Sequence, residues 1–266
     1  MTPELIRKRL EVVRCFVLDM DGTIYLGNEL FPFTLDFLKA LEEKARDFIF
    51  LTNNSSQSAR DYAQKLSRMG IQVPPEKIYT SGDATIEYLL ELNQGKNLFL
   101  LGTKSLHRAF REAGFVTDSC SPDFVVLGFD LTFNFQKLDQ ACRFIRRGVP
   151  FIATHPDFNC PQQGGDMLPD CGALAAAITA ATGVSPKVIG KPNQEMLNGL
   201  LKRLNLNKKY LAFIGDRLMT DIRIGELYGI TTILILTGET KSEHLAHSPI
   251  KPDFVFEKII DIAEYL

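Results

Sequence analysis

The stretch Cys15-Phe16-Val17-Leu18-Asp19-Met20-Asp21-Gly22-Thr23 decides the fold that the sequence predicts. Its first four residues are continuously apolar, which is typical of a strand buried on both faces of a parallel sheet. Asp19 and Asp21 follow, two positions apart, where the strand gives way to a glycine turn. Ligands bind beyond the carboxyl ends of strands in open α/β sheets, and two carboxylates there repel each other. The stretch therefore predicts a hard divalent metal with oxygen ligands, with an aspartate-capped turn as the alternative.

The overall charge and the apolar runs argue against nucleic-acid and membrane partners. With 266 residues and a net charge of −2, the chain has no basic excess for nucleic acid or an anionic membrane surface. No apolar run approaches the length of a membrane span, and the charged N-terminus lacks the apolar core of a signal peptide. The five cysteines form no C-x-x-C pair, which favours reduced thiols and a cytoplasmic location over a disulfide framework or a zinc site.

Apolar strands alternate with helix-spaced apolar residues along the chain. This alternation implies right-handed crossovers and an α/β fold with a doubly wound parallel sheet. A second alternating block begins near residue 81 and is long enough to fold by itself. We therefore expect a discontinuous core domain, residues 1–80 plus 186–266, with an inserted α/β domain, residues 81–185.

Two local expectations follow from the same pattern. Residues 155–170 are rich in Pro, Gly and polar side chains, which predicts a loop. Residues 259–266 predict a closing helix at the end of the core domain.

Four polar clusters each follow a predicted strand. Because the carboxyl ends of parallel strands meet at one edge of the sheet, residues distant in sequence can surround one ligand there. Several carboxylates suit Mg²⁺, while an ammonium group with hydroxyl and amide donors suits an anion with several oxygens. Metal, ammonium and donors around an acidic nucleophile describe phosphoryl transfer through an aspartyl-phosphate. The clusters are Asp19 with Asp21, Thr52-Asn53-Asn54, Lys191, and Asp216 with Asp221.

Each cluster also has a simpler structural interpretation. Lys191 could be a solvated turn lysine, and Thr52-Asn53-Asn54-Ser55 could be a helix N-cap with Asx turns. Asp216 and Asp221 could be a cap and a surface acid. Four such clusters, each at a strand end and in a consistent order, favour the common site.

Together the clusters resemble the motifs of the haloacid dehalogenase-like (HAD) phosphohydrolases. Asp19 to Gly27 is similar to their first motif, Thr52-Asn53-Asn54-Ser55 to the second, Gly190-Lys191-Pro192 to the third, and Gly215 to Asp221 to the fourth. Only the long interval between the second and third motifs leaves room for a cap domain. That layout resembles the C2-capped subgroup of NagD-type and p-nitrophenyl-phosphatase-like proteins, and implies a Rossmann-like core with an inserted C2 cap.

The resemblance implies roles for the acidic residues. Asp19 would be the nucleophile and a Mg²⁺ ligand. Asp21 would be the general acid and then the general base, with its backbone carbonyl at the metal. Asp216 would bind Mg²⁺ directly, and Asp221 would support the metal site from behind the direct ligands.

The resemblance also implies how the phosphate is held. Thr52, Asn53 and Asn54 would contact the phosphate oxygens, and Lys191 would neutralise charge on the phosphoryl group. In the predicted cap, His155 and Asp157 are candidates for contact with the leaving group. His155 capping a turn is an equal alternative.

The predicted function is Mg²⁺-dependent hydrolysis of a small phosphomonoester, such as a sugar phosphate or a nucleoside monophosphate. The alternatives are phosphoryl transfer to another hydroxyl, as in a phosphomutase, and metabolite sensing without catalysis. A dinucleotide-binding module is disfavoured because the chain contains no G-x-G-x-x-G. Similar proteins form dimers through their caps, so a homodimer is one option for a macromolecular partner.

Overall fold

The computed structural model describes residues 2–161 and 166–266. Over these residues the chain forms two compact units. Unit 1 comprises Met1–Thr52, Lys65–Tyr79 and Leu200–Leu266, and unit 2 comprises Asn53–Gln64 and Thr80–Gly199. The catalytic-core and cap boundaries expected from the sequence stay a prediction.

The described chain alternates strands and helices. The strands are β1 (Cys15–Leu18), β2 (Tyr25–Leu26), β3 (Glu29–Leu30), β4 (Asp47–Thr52), β5 (Ile78–Thr80), β6 (Leu98–Leu101), β7 (Phe124–Leu127), β8 (Phe151–Ala153), β9 (Asn159–Pro161), β10 (Met167–Pro169), β11 (Lys187–Val188), β12 (Leu211–Gly215), β13 (Thr231–Ile235) and β14 (Phe254–Phe256). The α-helices are α1 (Pro3–Glu11), α2 (Thr34–Glu43), α3 (Ala59–Arg68), α4 (Ser81–Leu92), α5 (Lys104–Glu112), α6 (Phe135–Arg146), α7 (Cys171–Thr182), α8 (Gln194–Leu204), α9 (Arg223–Tyr228) and α10 (Ser242–His247).

Unit 1 is built on the strand order β14-β13-β12-β1-β4-β5. All four residues of β1 are buried, as the continuous apolar run predicts for a central strand. β1 pairs in parallel with β12 on one side and with β4 on the other, and β12 pairs in parallel with β13. The carboxyl ends of these strands therefore lie along one edge of the sheet, and Asp19, Thr52 and Asp216 lie at that edge.

Unit 2 contains a second parallel sheet in the order β11-β8-β7-β6. Its core combines buried residues from β7 and β8 with those of α6 and α7. The alanine-rich helix α7 begins after Asp170, whose side chain accepts a hydrogen bond from the Cys171 N–H. α7 ends at Gly183, which adopts the left-handed conformation that favours glycine.

The α/β class with parallel sheets and flanking helices is confirmed, and one local expectation is wrong in detail. Within residues 155–170, β9 and β10 form an antiparallel pair, although their short, proline-bearing sequences carry little strand signal. The closing helix is confirmed, and it is a 3-10 helix over Ile259–Tyr265. A search of the described residues finds no helix with the length and apolar character needed to cross a bilayer.

Candidate active site

The site in unit 1 begins with Asp19 at the carboxyl end of β1. The backbone N–H of Asp19 donates to the carbonyl of Ile214 at 2.9 Å, so the pairing of β1 with β12 continues up to this residue. Asp216 follows the end of β12 directly. Because the two strands are adjacent and parallel, Asp19 and Asp216 emerge side by side at the same edge of the sheet.

Asp221 reaches this edge from an unusual turn. Leu218–Ile222 is a π-helix, in which the N–H of Ile222 donates to the carbonyl of Arg217 five residues earlier. Such turns are rare and occur frequently at functional sites. The side chain of Asp221 accepts from the Arg217 N–H at 3.3 Å and the Thr220 hydroxyl at 3.4 Å, which fixes its carboxylate beside the end of β12.

The structure brings Asp19, Asp216 and Asp221 together. One carboxylate oxygen from each residue lies within 4.8 Å of those of the other two. Burial, and then the charge of Asp221, raise the pKa of Asp216 to about 7. Three carboxylates held this close in a desolvated site repel one another unless a cation lies among them, and an all-oxygen set suits Mg²⁺. The donor set therefore fits a hard divalent metal.

Asp216 is held by donors from two further segments. Its Oδ2 accepts from the Glu239 N–H at 2.7 Å, and its Oδ1 accepts from the Thr23 hydroxyl at 3.3 Å. A Cβ added to Gly22 would lie 2.5 Å from Oδ2, and one added to Gly238 would lie 1.9 Å from it. Gly22 also has φ +84°, a conformation that side chains disfavour. Both backbones therefore come so close to the Asp216 carboxylate that only glycine, which has no Cβ, fits at these two positions.

The segment after β13 was missed by the sequence analysis. The Thr237 hydroxyl donates to the Gly22 carbonyl at 2.7 Å, which ties this segment to the turn after β1. The N–H of Thr240 donates to the backbone carbonyl of Asp216 at 3.1 Å. The available signal was the same as for the recognised clusters: polar residues that directly follow an apolar strand.

Asp21 lies in the turn after β1 and is not a member of the three-carboxylate group found among the described residues. Burial raises the pKa of Asp21, although the charge of Lys65 and a hydrogen bond from the Gly27 backbone oppose the shift. The Lys65 ammonium also lies 4.0 Å from the centre of the Tyr25 ring. Asp21 therefore has surroundings different from those of the clustered carboxylates.

Thr52 is buried at the end of β4 in unit 1, at the sheet edge that also carries Asp19. Asn54 belongs to unit 2, where its Oδ1 accepts from the Ser56 N–H at 2.9 Å. That contact is the Asx turn that the sequence offered as the simpler interpretation of this segment.

Asn53 and Lys191 come together in unit 2, and both are buried. The Asn53 amide nitrogen donates to the Lys191 carbonyl at 3.0 Å, and the Asn53 carbonyl accepts from the Ser81 hydroxyl. The side-chain oxygen of Asn53 is buried and accepts no hydrogen bond from the described residues. Two of the predicted phosphate-binding residues are thus neighbours.

His155 and Asp157 also belong to unit 2. His155 is fully buried, and both of its ring nitrogens have hydrogen-bond partners, Thr154 and Asp170. Asp157 is half-buried, and its backbone carbonyl accepts from the Gly172 N–H at 2.8 Å. Contact of these two residues with substrate stays a prediction. The sequence analysis did not identify Asp170, because nothing in the sequence pairs it with His155.

Comparisons with known proteins agree with this arrangement of motifs. A family model described as haloacid dehalogenase-like hydrolase matches residues 16–116, and one described as HAD-hydrolase-like matches residues 188–262. The dihydroxyacetone phosphatase of Corynebacterium glutamicum is 35% identical over 94% of this chain and 90% of its own length.

Two solved structures have the same fold over nearly the whole chain. The 4-nitrophenylphosphatase of Thermotoga maritima is 46% identical, with a TM-score of 0.92 over 96% of this chain and 98% of that one. NagD from Escherichia coli K-12 is 30% identical, with a TM-score of 0.86 over 94% and 98% of the two chains.

The fold, the motifs and these similarities define a class. The chain belongs to the haloacid dehalogenase-like hydrolases, in the NagD-like group that the sequence motifs indicated. It is a phosphoric monoester hydrolase of the HAD type that acts on small phosphates.

Proposed function

We propose that the protein hydrolyses a small phosphomonoester with the help of Mg²⁺, through an aspartyl-phosphate formed on Asp19. The observation that carries the proposal is the group of three carboxylates at the carboxyl ends of β1 and β12. A phosphatase that works through an aspartyl-phosphate needs its carboxylate nucleophile next to a cation, because the cation offsets repulsion between the carboxylate and the phosphate.

Asp19, Asp216 and Asp221 are the residues that would hold the metal. When bound, Mg²⁺ supplies electrostatic stabilisation of the phosphoryl oxygens as negative charge shifts during the reaction. Thr23 and the Glu239 N–H keep the Asp216 carboxylate in place, so that little reorganisation is needed when the cation binds. The motif resemblance adds the backbone carbonyl of Asp21.

The chemical steps are assigned to Asp19 and Asp21. A carboxylate oxygen of Asp19 attacks phosphorus, and the bond from phosphorus to the leaving oxygen breaks as Asp21 donates a proton to that oxygen. Asp21 then accepts a proton from water while the water oxygen attacks phosphorus. The bond to Asp19 breaks, inorganic phosphate leaves, and both carboxyl groups regain their starting protonation.

The remaining motif residues are assigned to phosphate binding. Lys191 would neutralise phosphoryl charge, and Thr52, Asn53 and Asn54 would donate hydrogen bonds to phosphate oxygens. Burial of Lys191 and Asn53, and the hydrogen bond between them, support the pairing of these two residues. Two relatives, named dihydroxyacetone phosphatase and acid sugar phosphatase, support small phosphorylated metabolites as substrates, with sugar phosphates foremost.

Localisation and assembly complete the proposal. No disulfide joins the five cysteines, all of which lie in the described part of the chain. A reducing, cytoplasmic setting is proposed from the cysteine pattern of the sequence, which contains no C-x-x-C pair. A homodimer through the inserted domain is proposed from the family resemblance, and light scattering of the purified protein would test it.

The deciding experiment measures phosphate release from p-nitrophenyl phosphate by wild type, by Asp19→Asn and by Asp36→Asn. Asp36 is an exposed acid of α2 and serves as the matched control. We expect wild type and Asp36→Asn to turn over with Mg²⁺ and stop with EDTA, and Asp19→Asn to lose at least about a thousandfold in kcat.

Acid quenching then tests the covalent step. With a substrate carrying radiolabelled phosphate, wild type should retain label on the protein, and hydroxylamine should release it as expected for an acyl phosphate. Activity that survived both EDTA and Asp19→Asn would overturn the proposal, and silence towards a panel of natural phosphates would favour metabolite sensing.

A further inference from the structure

His155 and Asp170 form a pair that is sealed inside unit 2. His155 has no exposed surface, and only 5% of the Asp170 side chain is exposed. The ring Nε2 of His155 lies 2.9 Å from Asp170 Oδ1, and Nδ1 lies 2.8 Å from the Thr154 hydroxyl. Because burial of a carboxylate and an imidazole is costly without partners, each holds the other in one orientation.

Asp170 also anchors the segment of residues 156–158 through backbone contacts. Its N–H donates to the Phe158 carbonyl at 2.9 Å, and the Gly172 N–H donates to the Asp157 carbonyl at 2.8 Å. A Cβ added to Gly172 would lie 2.2 Å from the Pro156 carbonyl oxygen. The segment therefore packs directly against the first turn of α7. His155 directly precedes the segment, and its ring bonds to Asp170 at the start of the same helix.

Thr154 extends the same hydrogen-bond network to a predicted phosphate-binding segment. The Thr154 hydroxyl donates to the Ser55 hydroxyl at 3.1 Å, and the Phe129 N–H donates to that same Ser55 oxygen at 3.1 Å. Ser55 follows Asn53 and Asn54 in sequence. The network thus runs from the start of α7 to Ser55 within the interior of unit 2, and Asn53 and Asn54 are held by other partners, among them Lys191 and Ser56.

Between His155 and Phe158 the side chains change abruptly from buried to exposed. His155 is fully buried, Asp157 is half-buried, and 60% of the Phe158 surface is exposed. A fixed backbone therefore presents a carboxylate and an aromatic ring, while the imidazole that fixes the backbone faces inward. Stability alone does not require a buried polar pair here, because apolar packing of similar volume often stabilises a protein as well or better.

We propose that His155 and Asp170 are a positioning pair, which sets the backbone of residues 156–158 so that Asp157 and Phe158 contact the leaving group of the phosphomonoester. His155 itself does not touch substrate. The inference rests on the proposed function and deepens it, because it separates recognition of the leaving group from recognition of the phosphate.

The test measures binding by calorimetry in an Asp19→Asn background with Mg²⁺, so that turnover is not needed. The two probes are p-nitrophenyl phosphate and inorganic phosphate, which has no leaving group. Asp170→Asn keeps the oxygen that caps α7 and removes the charge opposite His155, and His155→Gln removes the imidazole. His107→Gln is the matched control, because His107 is a half-buried histidine of unit 2 that bonds to Thr117.

We expect both positioning variants to weaken p-nitrophenyl phosphate binding about tenfold, which is about 1.4 kcal/mol. Inorganic phosphate binding should stay unchanged, and His107→Gln should alter neither. Equal losses for both probes, or no loss, would overturn the inference. So would a parent protein that binds p-nitrophenyl phosphate no more tightly than phosphate.

Amide hydrogen exchange distinguishes this inference from the proposed function. The Asp170 and Gly172 amides should exchange faster in His155→Gln than in wild type, and unchanged exchange would refute the positioning role. Phosphate release by the wild-type protein tests the proposed function separately. The positioning role can therefore fail while the proposed function stands, and the two failures are told apart by different measurements.

Discussion

Replacement of Gly238 by alanine tests the architecture of the metal site most directly. The new Cβ would lie 1.9 Å from Asp216 Oδ2 and 2.4 Å from its Cγ, far inside van der Waals contact. Asp216 must then rotate, or the segment after β13 must withdraw. Either movement breaks the 2.7 Å hydrogen bond from the Glu239 N–H to Oδ2.

The expected magnitude has two parts. Loss of a hydrogen bond to a charged acceptor costs about 1.5–3 kcal/mol, and overpacking of a filled site costs about 1–3 kcal/mol. We therefore expect the free energy of unfolding to fall by about 3 kcal/mol. Displacement of a group that orients a metal ligand should weaken Mg²⁺ binding about 10- to 100-fold.

Urea unfolding and Mg²⁺ calorimetry on the same preparation measure these two effects. Gly70→Ala is the control, because Gly70 lies in unit 1 with φ +95° and nothing within 4 Å of its added Cβ. The control should lose about 1 kcal/mol through backbone strain and keep its Mg²⁺ affinity. If Gly238→Ala matched the control in both measurements, the close packing of Gly238 on Asp216 would contribute neither to stability nor to Mg²⁺ binding, and the prediction would be refuted.

Three further substitutions test contacts within unit 1 and within unit 2. In Thr237→Val the hydrogen bond to the Gly22 carbonyl is lost, so Mg²⁺ affinity should fall about tenfold, the lower end of the range for outer contacts of metal sites. Thr237→Ser should keep the hydrogen bond and the Mg²⁺ affinity. Gly172→Ala places a Cβ against the Pro156 carbonyl and should lower the free energy of unfolding by about 2–3 kcal/mol, as measured by urea unfolding. Burial would raise the pKa of Asp61, but hydrogen bonds from Ser105 and Ser58 and the charge of Arg108 hold it below its usual range. That stabilisation is present above the unfolded-state pKa, about 3.9, and is lost as the pH falls through the folded-state value. Asp61→Asn should therefore cost about 1 kcal/mol at pH 7, and the difference should disappear in acid; a constant difference from pH 7 to 2 would contradict this assignment.

The meeting of Asp19 and Asp216 could be predicted because it depends on one local rule. Each follows a continuous apolar strand, and parallel strands bring their carboxyl ends to one edge. The sequence could also identify Thr52, at the end of β4, for the same reason. This rule requires no knowledge of how far apart the residues are in the chain.

The same rule would have placed the segment after β13 at this edge, but it could not have predicted the contacts through which that segment supports the carboxylates. Gly238 and Thr237 matter because their backbone and hydroxyl approach Asp216 and Gly22 within contact distance, and no short motif records such an approach. The pairing of His155 with Asp170 depends on the β9–β10 pair, which brings the start of α7 back to the end of β8. Those strands are too short to carry a clear alternating pattern.

Asp221 lies in the π-helix Leu218–Ile222. The number of residues in this helix therefore matters more for the position of Asp221 than the identity of its other side chains. Each residue of a helix turns the chain by about 100°, so deletion of a single residue from Leu218–Ile222 would convert the wide turn to an ordinary one and rotate Asp221 away from Asp216. Met219, which is 69% exposed, should accept most substitutions yet not tolerate deletion. Apart from exchange of Asp221 itself, insertions and deletions rather than side-chain exchanges are therefore the changes that evolution or engineering must avoid between Asp216 and Ile222.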